Sequence, residues 1–356
     1  MVEQVTILSG VHTVLPAHRY PQRELMGAFG DLCLGPQADR TGLERLFAHA
    51  GVNQRHLCLP LECYGSITDF GAANDLFLHH ARQLGAQALS GALRRAGLAP
   101  DQLDVVFSTT VTGVAVPSLE VLIARDVGLR ADVRRVPLFG LGCAGGAAGL
   151  ARLHDYLVGH PRQVGALVSV ELCSLTLRRS DRSAANLVAG ALFGDGAAAV
   201  VATGTEHPAA AGGPRVLDSR SCLYPDTEAA LGWHVGGEGL RIVLDAQVPS
   251  LLERHLGTDV RALLTPNGLR IEDVAAWVCH AGGPRVIEAV ETVLALPGDP
   301  LELTWRSLGE VGNLSSASVL HVLRDTLDKR APAAGSPGVV LAVGPGIGSE
   351  LVLVRW

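Results

Sequence analysis

LFGLGCAGGAAGL, residues 138–150, sets a single cysteine, Cys143, between an aliphatic run and a string of glycines and alanines. Residues this small permit close backbone approach, and the stretch predicts a helix from about 143 to 159. A helix start offers unpaired N–H groups and the positive end of a dipole, which can lower a thiol pKa by a unit or more from about 8.5. A buried structural cysteine fits the same residues. The local pattern leaves packing and chemistry both open.

Around this stretch, short apolar runs alternate with helical spacing. VTILSGV reads as a strand, ANDLFLHHARQLGAQALSGALRRAGL (73–98) as a helix, and LDVVFSTT (103–110) as a strand. PSLEVLIARDVGL (117–129) is helical, and RRVPLFG, GALVSVEL (165–172) and GDGAAAVVATG (194–204) are strands. Strands with almost no polar face mean a sheet covered on both sides. TGTEHPAAAGGP (203–214) is aperiodic and rich in Gly, Ala and Pro, and is the expected boundary. Beyond it the pattern recurs: strands near 215–222, a helix near 246–263, the strand VAAWVCH (274–280), two helices, and the strands GVVLAVG and ELVLVRW. Two halves of like order predict a duplicated α/β unit.

Composition narrows the class. The 356 residues are 48% hydrophobic and 18% charged, which suits a well-buried globular enzyme. No apolar run reaches the roughly 18 to 20 residues that cross a bilayer. The opening MVEQVTILSG has no basic leader, so a cytoplasmic protein is expected. A net charge of −6 argues against nucleic acid as partner. The seven cysteines form no C-x-x-C pair or metal-type cluster, so free thiols and no metal are expected.

Two further residues join Cys143 as candidates. His280 ends an apolar strand before AGGPR, where α/β folds place their sites, although a lone histidine is more often structural. Asn313, in EVGNLSSASVL, reads by itself as an N-cap or turn residue. Together the three fit acyl transfer: a thiolate to carry an acyl group, with an imidazole and an amide as donors to an enolate or oxyanion. Papain-like proteases share the order Cys, His, Asn, but place the cysteine near the mature N-terminus with an aromatic after it, which is not seen here.

The motifs in order resemble the type III polyketide synthases, the chalcone synthase superfamily of thiolase-fold enzymes. GLGCAGGAAGLAR looks like the nucleophile block, ALFGDGAAAVV (191–201) like the block with the pocket phenylalanine, and CHAGGPRVIEAV (279–290) like the histidine block. GNLSSASVL (312–320) looks like the asparagine block and VGPGIGSE (343–350) like the glycine loop. The resemblance implies a thiolase-like α/β fold of duplicated halves in αβαβα layers, residues 1–208 carrying the nucleophile and 209–356 the histidine and asparagine. It implies Cys143 as nucleophile, His280 and Asn313 as the decarboxylating pair, and Phe193 at the junction of CoA tunnel and cavity. Thr112, Val116, Cys173, Thr176, Trp233, Ile242 and Ser315 would surround the cavity. Arg45, Gly282 and Gly283 would contact CoA, though two neighbouring basic positions of the plant enzymes fall on Gly42 and His49. It also implies a homodimer that takes acyl-CoA and malonyl-CoA and no cofactor beyond these thioesters.

Ile242 stands where plant members carry a second phenylalanine, Val116 where they carry a methionine on the dimer-side wall, and Val343 where they carry an aromatic. The aliphatic lining predicts a medium or long fatty acyl starter, two or three extensions, and an alkylpyrone or alkylresorcinol product, as in the bacterial synthases of those compounds. Two alternatives remain: a 3-oxoacyl-[acyl-carrier-protein] synthase III, which condenses once, and a silent thiolase-fold partner subunit, which would be expected to lose the cysteine.

Overall fold

The uncharged runs of the sequence become the middle of one nine-stranded mixed sheet. The computed structural model describes residues 5–35, 37–210, 212–236, 239–296 and 298–356. In spatial order the strands are Ala276–Cys279, Pro337–Gly344, Gly348–Arg355, Arg215–Leu223, Thr6–Val14, Asp195–Gly204, Val164–Leu172, Val105–Thr110 and Arg134–Phe139. Val164–Leu172 and Asp195–Gly204 are buried along their whole length, as strands covered on both faces must be.

The halves meet at a two-residue antiparallel pairing, Thr6 with Val216 and Ile7 with Arg215. Outward from that seam each half runs through antiparallel neighbours and then parallel ones. The C-terminal half repeats the N-terminal order one strand short, so the duplication is visible in topology.

Two helices, Gly145–Gly159 and Ser318–Lys329, form the layer between the halves. Ala147, Leu150, Leu153 and Leu157 of the first and Val319, Leu320, Val322 and Leu323 of the second share one buried cluster with strand residues of both halves. On the outer side of the N-terminal half lies Phe70–Ala96, begun by an Asp69 side chain that accepts from Ala72 N–H at 3.0 Å and ended by Gly97 at φ +67°. Val248–Leu264 and Pro284–Leu294 pack on the C-terminal half and complete five layers.

The glycines of the opening stretch are explained by this middle layer. A Cβ on Gly146 would overlap the Ser316 carbonyl oxygen, and one on Gly149 would lie 2.5 Å from a Leu167 methyl carbon. Only a bare backbone lets this helix approach the turn and helix from Ser315 onward, and the strand Val164–Leu172, this closely.

Several elements differ from their sequence reading. The helix expected from 143 begins at Gly145, because Gly142–Ala144 forms a separate 3-10 turn with Gly142 at φ +49°. The strand expected at 274–280 is trimmed to Ala276–Cys279, and the expected boundary begins only after Gly204, where the preceding strand ends. Residues 1–4, ahead of the opening strand, and Ala211 of the boundary stretch lie outside the described residues. The hairpin Leu231–Gly236 with Gly239–Leu244 has no counterpart in the sequence reading.

Candidate active site

Cys143 sits in the 3-10 turn at the entry to the central helix, half-buried, with Ser315 Oγ at 3.8 Å from its sulfur. Ser315 holds its backbone at φ +50°, a conformation that costs a non-glycine residue energy and is found where surrounding contacts impose it. Here its N–H donates to Asn313 Oδ1 at 2.8 Å. Asn313 is therefore the turn residue that its local sequence suggests. Its other end is also engaged: Nδ2 donates to Gly282 O at 3.1 Å, and a further hydrogen bond from Asn313 favours the Cys143 thiolate.

His280 follows Cys279 at the end of its strand, its N–H held by Leu341 O at 2.8 Å. Its carbonyl accepts from Gly282 N–H at 2.9 Å, so the loop that receives Asn313 is folded back on the histidine. The imidazole is buried, and Nδ1 has no hydrogen-bond partner. Burial lowers the His280 pKa to about 4, which keeps the ring neutral.

The thiol corrects an expectation. A helix start predicts a lowered pKa; instead burial pushes Cys143 up to about 12. Hydrogen bonds from Ser315 and Asn313 pull down and the nearby Glu171 carboxylate pushes up, but desolvation of the thiolate is the largest effect. In the free protein Cys143 is thus held as a thiol and His280 as a neutral imidazole.

Glu171 is fully buried, and sequence reasoning misses it. It accepts from Ser316 Oγ at 2.5 Å, Thr112 Oγ1 at 2.8 Å and Val111 N–H at 3.1 Å. Burial raises its carboxyl pKa above the ordinary carboxylate range. The available signal is a lone acid inside the otherwise uncharged GALVSVEL.

A pocket of ≈ 70 Å³ gathers Phe193, Trp233, Ile242, Cys173 and Thr176 of the expected lining. Leu25, Phe29, Leu32, Leu57 and Leu61 add an apolar wall, and Arg55, Tyr64, Ser174 and Asn186 bring polar groups to it. Trp233 and Ile242 are cross-strand partners on the unforeseen hairpin. Thr112 and Thr176 line a second, more polar cavity of ≈ 540 Å³. Val116 and Val343 line neither cavity: Val116 is 93% exposed, and Val343 is packed in the core because its strand is covered on both faces.

Phe193 is tied to the site by the main chain. It pairs with Asn313 in an isolated bridge, with Asn313 N–H donating to Leu192 O at 2.8 Å and Gly194 N–H to Asn313 O at 2.9 Å. The helix Ala184–Leu192 that leads to Phe193 packs against Thr41–Ala48, which carries Arg45 on the exposed surface. Gly283, at φ +141°, turns the chain into Pro284–Leu294. Among the described residues no group of His, Cys, Asp and Glu is placed to hold a metal ion, and no helix is long and apolar enough to cross a membrane.

Two family models match the chain: the N-terminal domain of chalcone and stilbene synthases over residues 4–206 and the C-terminal domain over 216–356. A 1,3,6,8-tetrahydroxynaphthalene synthase from Streptomyces peucetius subsp. caesius is 54% identical, over 100% of this chain and 94% of its own length. A putative chalcone synthase from Bacillus subtilis is 29% identical over 99% of both chains. The crystal structure of 1,3,6,8-tetrahydroxynaphthalene synthase from Streptomyces coelicolor, a bacterial type III polyketide synthase, superposes with a TM-score of 0.91 at 29% identity, covering 98% of this chain and 99% of the other. With the sheet, the central helix pair and these matches in agreement, the chain belongs to the chalcone and stilbene synthases, the type III polyketide synthases.

Proposed function

We propose that this chain primes, extends and cyclises malonate units on Cys143 to form an aromatic polyketide of the tetrahydroxynaphthalene type. Enzymes of the family are acyltransferases that condense malonyl-CoA and need no cofactor beyond CoA thioesters. One observation carries the assignment of the chemistry: the Asn313 side chain joins Ser315, beside the Cys143 sulfur, to the Gly282 carbonyl of the loop that follows His280. The product class rests on the 54% identical relative.

In this reading the Cys143 sulfur attacks the thioester carbonyl of an acyl-CoA, and a His280 ring nitrogen takes the thiol proton. The tetrahedral intermediate collapses, and CoA leaves with that proton. Malonyl-CoA then loses CO2, and N–H donors of Asn313 and His280 stabilise the enolate; such donors are worth about 3 to 4 kcal/mol each when well placed. The enolate carbon attacks the Cys143 thioester, the new carbon–carbon bond forms, and the sulfur is freed for reloading. A neutral His280 suits this role, because a neutral imidazole can still donate while its other nitrogen accepts. The ten-carbon skeleton of a tetrahydroxynaphthalene, oxygenated at alternate positions, counts out in two-carbon units and needs no aliphatic starter.

A second reading keeps the fatty acyl starter and alkylpyrone or alkylresorcinol product. The leucine-lined wall beside Ile242 favours it. Product analysis by mass spectrometry separates the two. Malonyl-CoA alone should give the aromatic product at a rate that hexanoyl- or dodecanoyl-CoA does not exceed. Alkylpyrones formed tenfold faster, about 1.4 kcal/mol of transition-state preference, would establish the aliphatic reading instead.

We also infer a homodimer. Val116, in the loop after Val105–Thr110, and Phe139, at the end of the edge strand Arg134–Phe139, are 93% and 62% exposed, large apolar side chains that a second copy would cover. Light scattering that finds a monomer at micromolar concentration would contradict it.

A further inference from the structure

Arg55 is the only charged residue among the described residues lining the ≈ 70 Å³ pocket. It stands on the strand Gln54–Leu57, is 4% exposed, and has a full desolvation cost to meet. Its Nε donates to Gln22 Oε1 at 3.1 Å and its Nη1 to Phe193 O at 2.8 Å, both neutral acceptors. The nearest strong negative influence is Asp195, whose oxygens accept from Cys58 N–H at 2.7 Å, Ser174 N–H at 2.8 Å and Ser174 Oγ at 2.5 Å. That carboxylate sits behind Ser174, off the pocket wall. Toward the pocket, then, the protein shows a buried guanidinium, the Tyr64 and Ser174 hydroxyls, and aliphatic carbon.

The pocket adjoins the frame of the nucleophile. Phe193, on its wall, is bridged to Asn313, whose Oδ1 accepts from the N–H of Ser315, the residue with its hydroxyl 3.8 Å from the Cys143 sulfur. A cavity with one cation and no acid on its wall suits an acyl chain that ends in a negative charge.

We propose that Arg55 receives the terminal carboxylate of a dicarboxylic acyl chain held on Cys143, so that a malonyl group is recognised as starter by its charge. The pairing has a chemical use. Decarboxylation moves the electron pair of the carboxylate carbon bond toward the acyl carbonyl, and a guanidinium holding the charge on the carboxylate opposes that movement. A starter held at Arg55 keeps its carboxylate until the chain leaves the guanidinium for ring closure, when it is shed as CO2 and the eleven-carbon chain becomes the ten-carbon skeleton, whereas an extender lying against Asn313 and His280 loses it at once. The same enzyme would thus sort one substrate into two fates.

This inference rests on Cys143 being the acyl carrier, and the test separates the two. Intact-protein mass spectrometry follows acyl loading from succinyl- against butyryl-CoA and from glutaryl- against valeryl-CoA, pairs matched in carbon number, in the wild type, Arg55→Lys and Arg55→Gln. Charge-assisted hydrogen bonds are strong, and Arg55→Gln should lower the dicarboxylic-to-neutral loading ratio about tenfold or more, with Arg55→Lys retaining most of it. A merely structural role, through the Phe193 carbonyl, slows both members of a pair alike and leaves the ratio unchanged, which would overturn the proposal. Should Arg55→Gln fail to fold, the wild type decides with Arg55→Lys: neutral chains loaded tenfold faster than their dicarboxylic partners also overturn it. Persistence of loading in Cys143→Ala strikes at the carrier assignment and not at Arg55, whose role stands or falls with the ratio alone.

Discussion

Ser315 presents its hydroxyl 3.8 Å from the sulfur of Cys143 while its own backbone is held at φ +50°. The residue is strained where it stands, and the strain puts a hydrogen-bonding group on the thiol.

Glycine at this position separates the two effects. Ser315→Gly should gain on the order of 1 kcal/mol of stability from relief of the left-handed conformation, and Ser315→Ala should not. Both lose a hydroxyl that favours the thiolate, so in both the pH midpoint of Cys143 alkylation by iodoacetamide should move up. An unmoved midpoint in Ser315→Ala would show that the hydroxyl does not set thiol reactivity.

Acylation should fall on Cys143 alone. Cys33, Cys58, Cys173 and Cys279 are buried, and burial raises all four thiols above their ordinary value. Cys143 is raised too, but it is half-buried, and Ser315 and Asn313 favour its thiolate. Peptide mapping after incubation with acyl-CoA checks this, and label on Cys173 with Cys143 clean would move the nucleophile.

The roles of His280 and Asn313 should divide. His280→Ala removes both the proton acceptor of loading and an enolate donor, so both steps should fall; Asn313→Ala should slow decarboxylation by a factor on the order of 100 while loading drops less. Single-turnover loading and CO2 release measure the steps separately. Equal loss of loading in the two variants would contradict the division.

Acid should destabilise the fold through its buried histidines. His280 and His321 are both lowered from 6.5 to about 4 by burial, so the unfolded chain binds their protons first as pH falls. Neutral-state stability is present above pH 6.5, declines between 6.5 and about 4, and each histidine accounts for on the order of 3 kcal/mol across that window. His321 Nε2 lies 3.2 Å from Ala197 O, a contact that glutamine can replace. Urea titrations at pH 7.5 and 4.5 should show His321→Gln losing less stability than the wild type, and parallel losses would exclude this residue as a source.

Two glycines in one helix should behave oppositely. Gly146→Ala drives a methyl into the Ser316 carbonyl and should cost several kcal/mol, whereas Gly159, with open space around it, should accept alanine with a gain of up to about 1 kcal/mol. Thermal unfolding of the pair tests the close approach of the central helices.

Much of this is legible in the residues. Val164–Leu172 and Asp195–Gly204 announce themselves because strands buried on both faces have no polar side to blur them. Cys143, His280 and Asn313 stand out as candidates because each sits where a strand or loop gives way to a helix, a position local sequence reveals. Arg55 cannot: QRHL carries no mark of burial, and only the return of Phe193 and Gln22 from distant parts of the chain makes it an interior cation. The hairpin bearing Trp233 and Ile242 escapes notice because Gly-rich LGWHVGGEGL lacks clean alternation. Val343 is misplaced for a related reason, since a residue's neighbour in sequence need not share its face.

The bridge between Phe193 and Asn313 makes the pocket wall and the loop beside the Cys143 sulfur a single piece of joinery. Any insertion or deletion that widened the pocket by shifting the Phe193 backbone would drag the amide along with it. Redesign of substrate scope therefore has to proceed by exchanging side chains on a fixed frame, and homologues with altered loops at 192–194 should have matching alterations at 312–314.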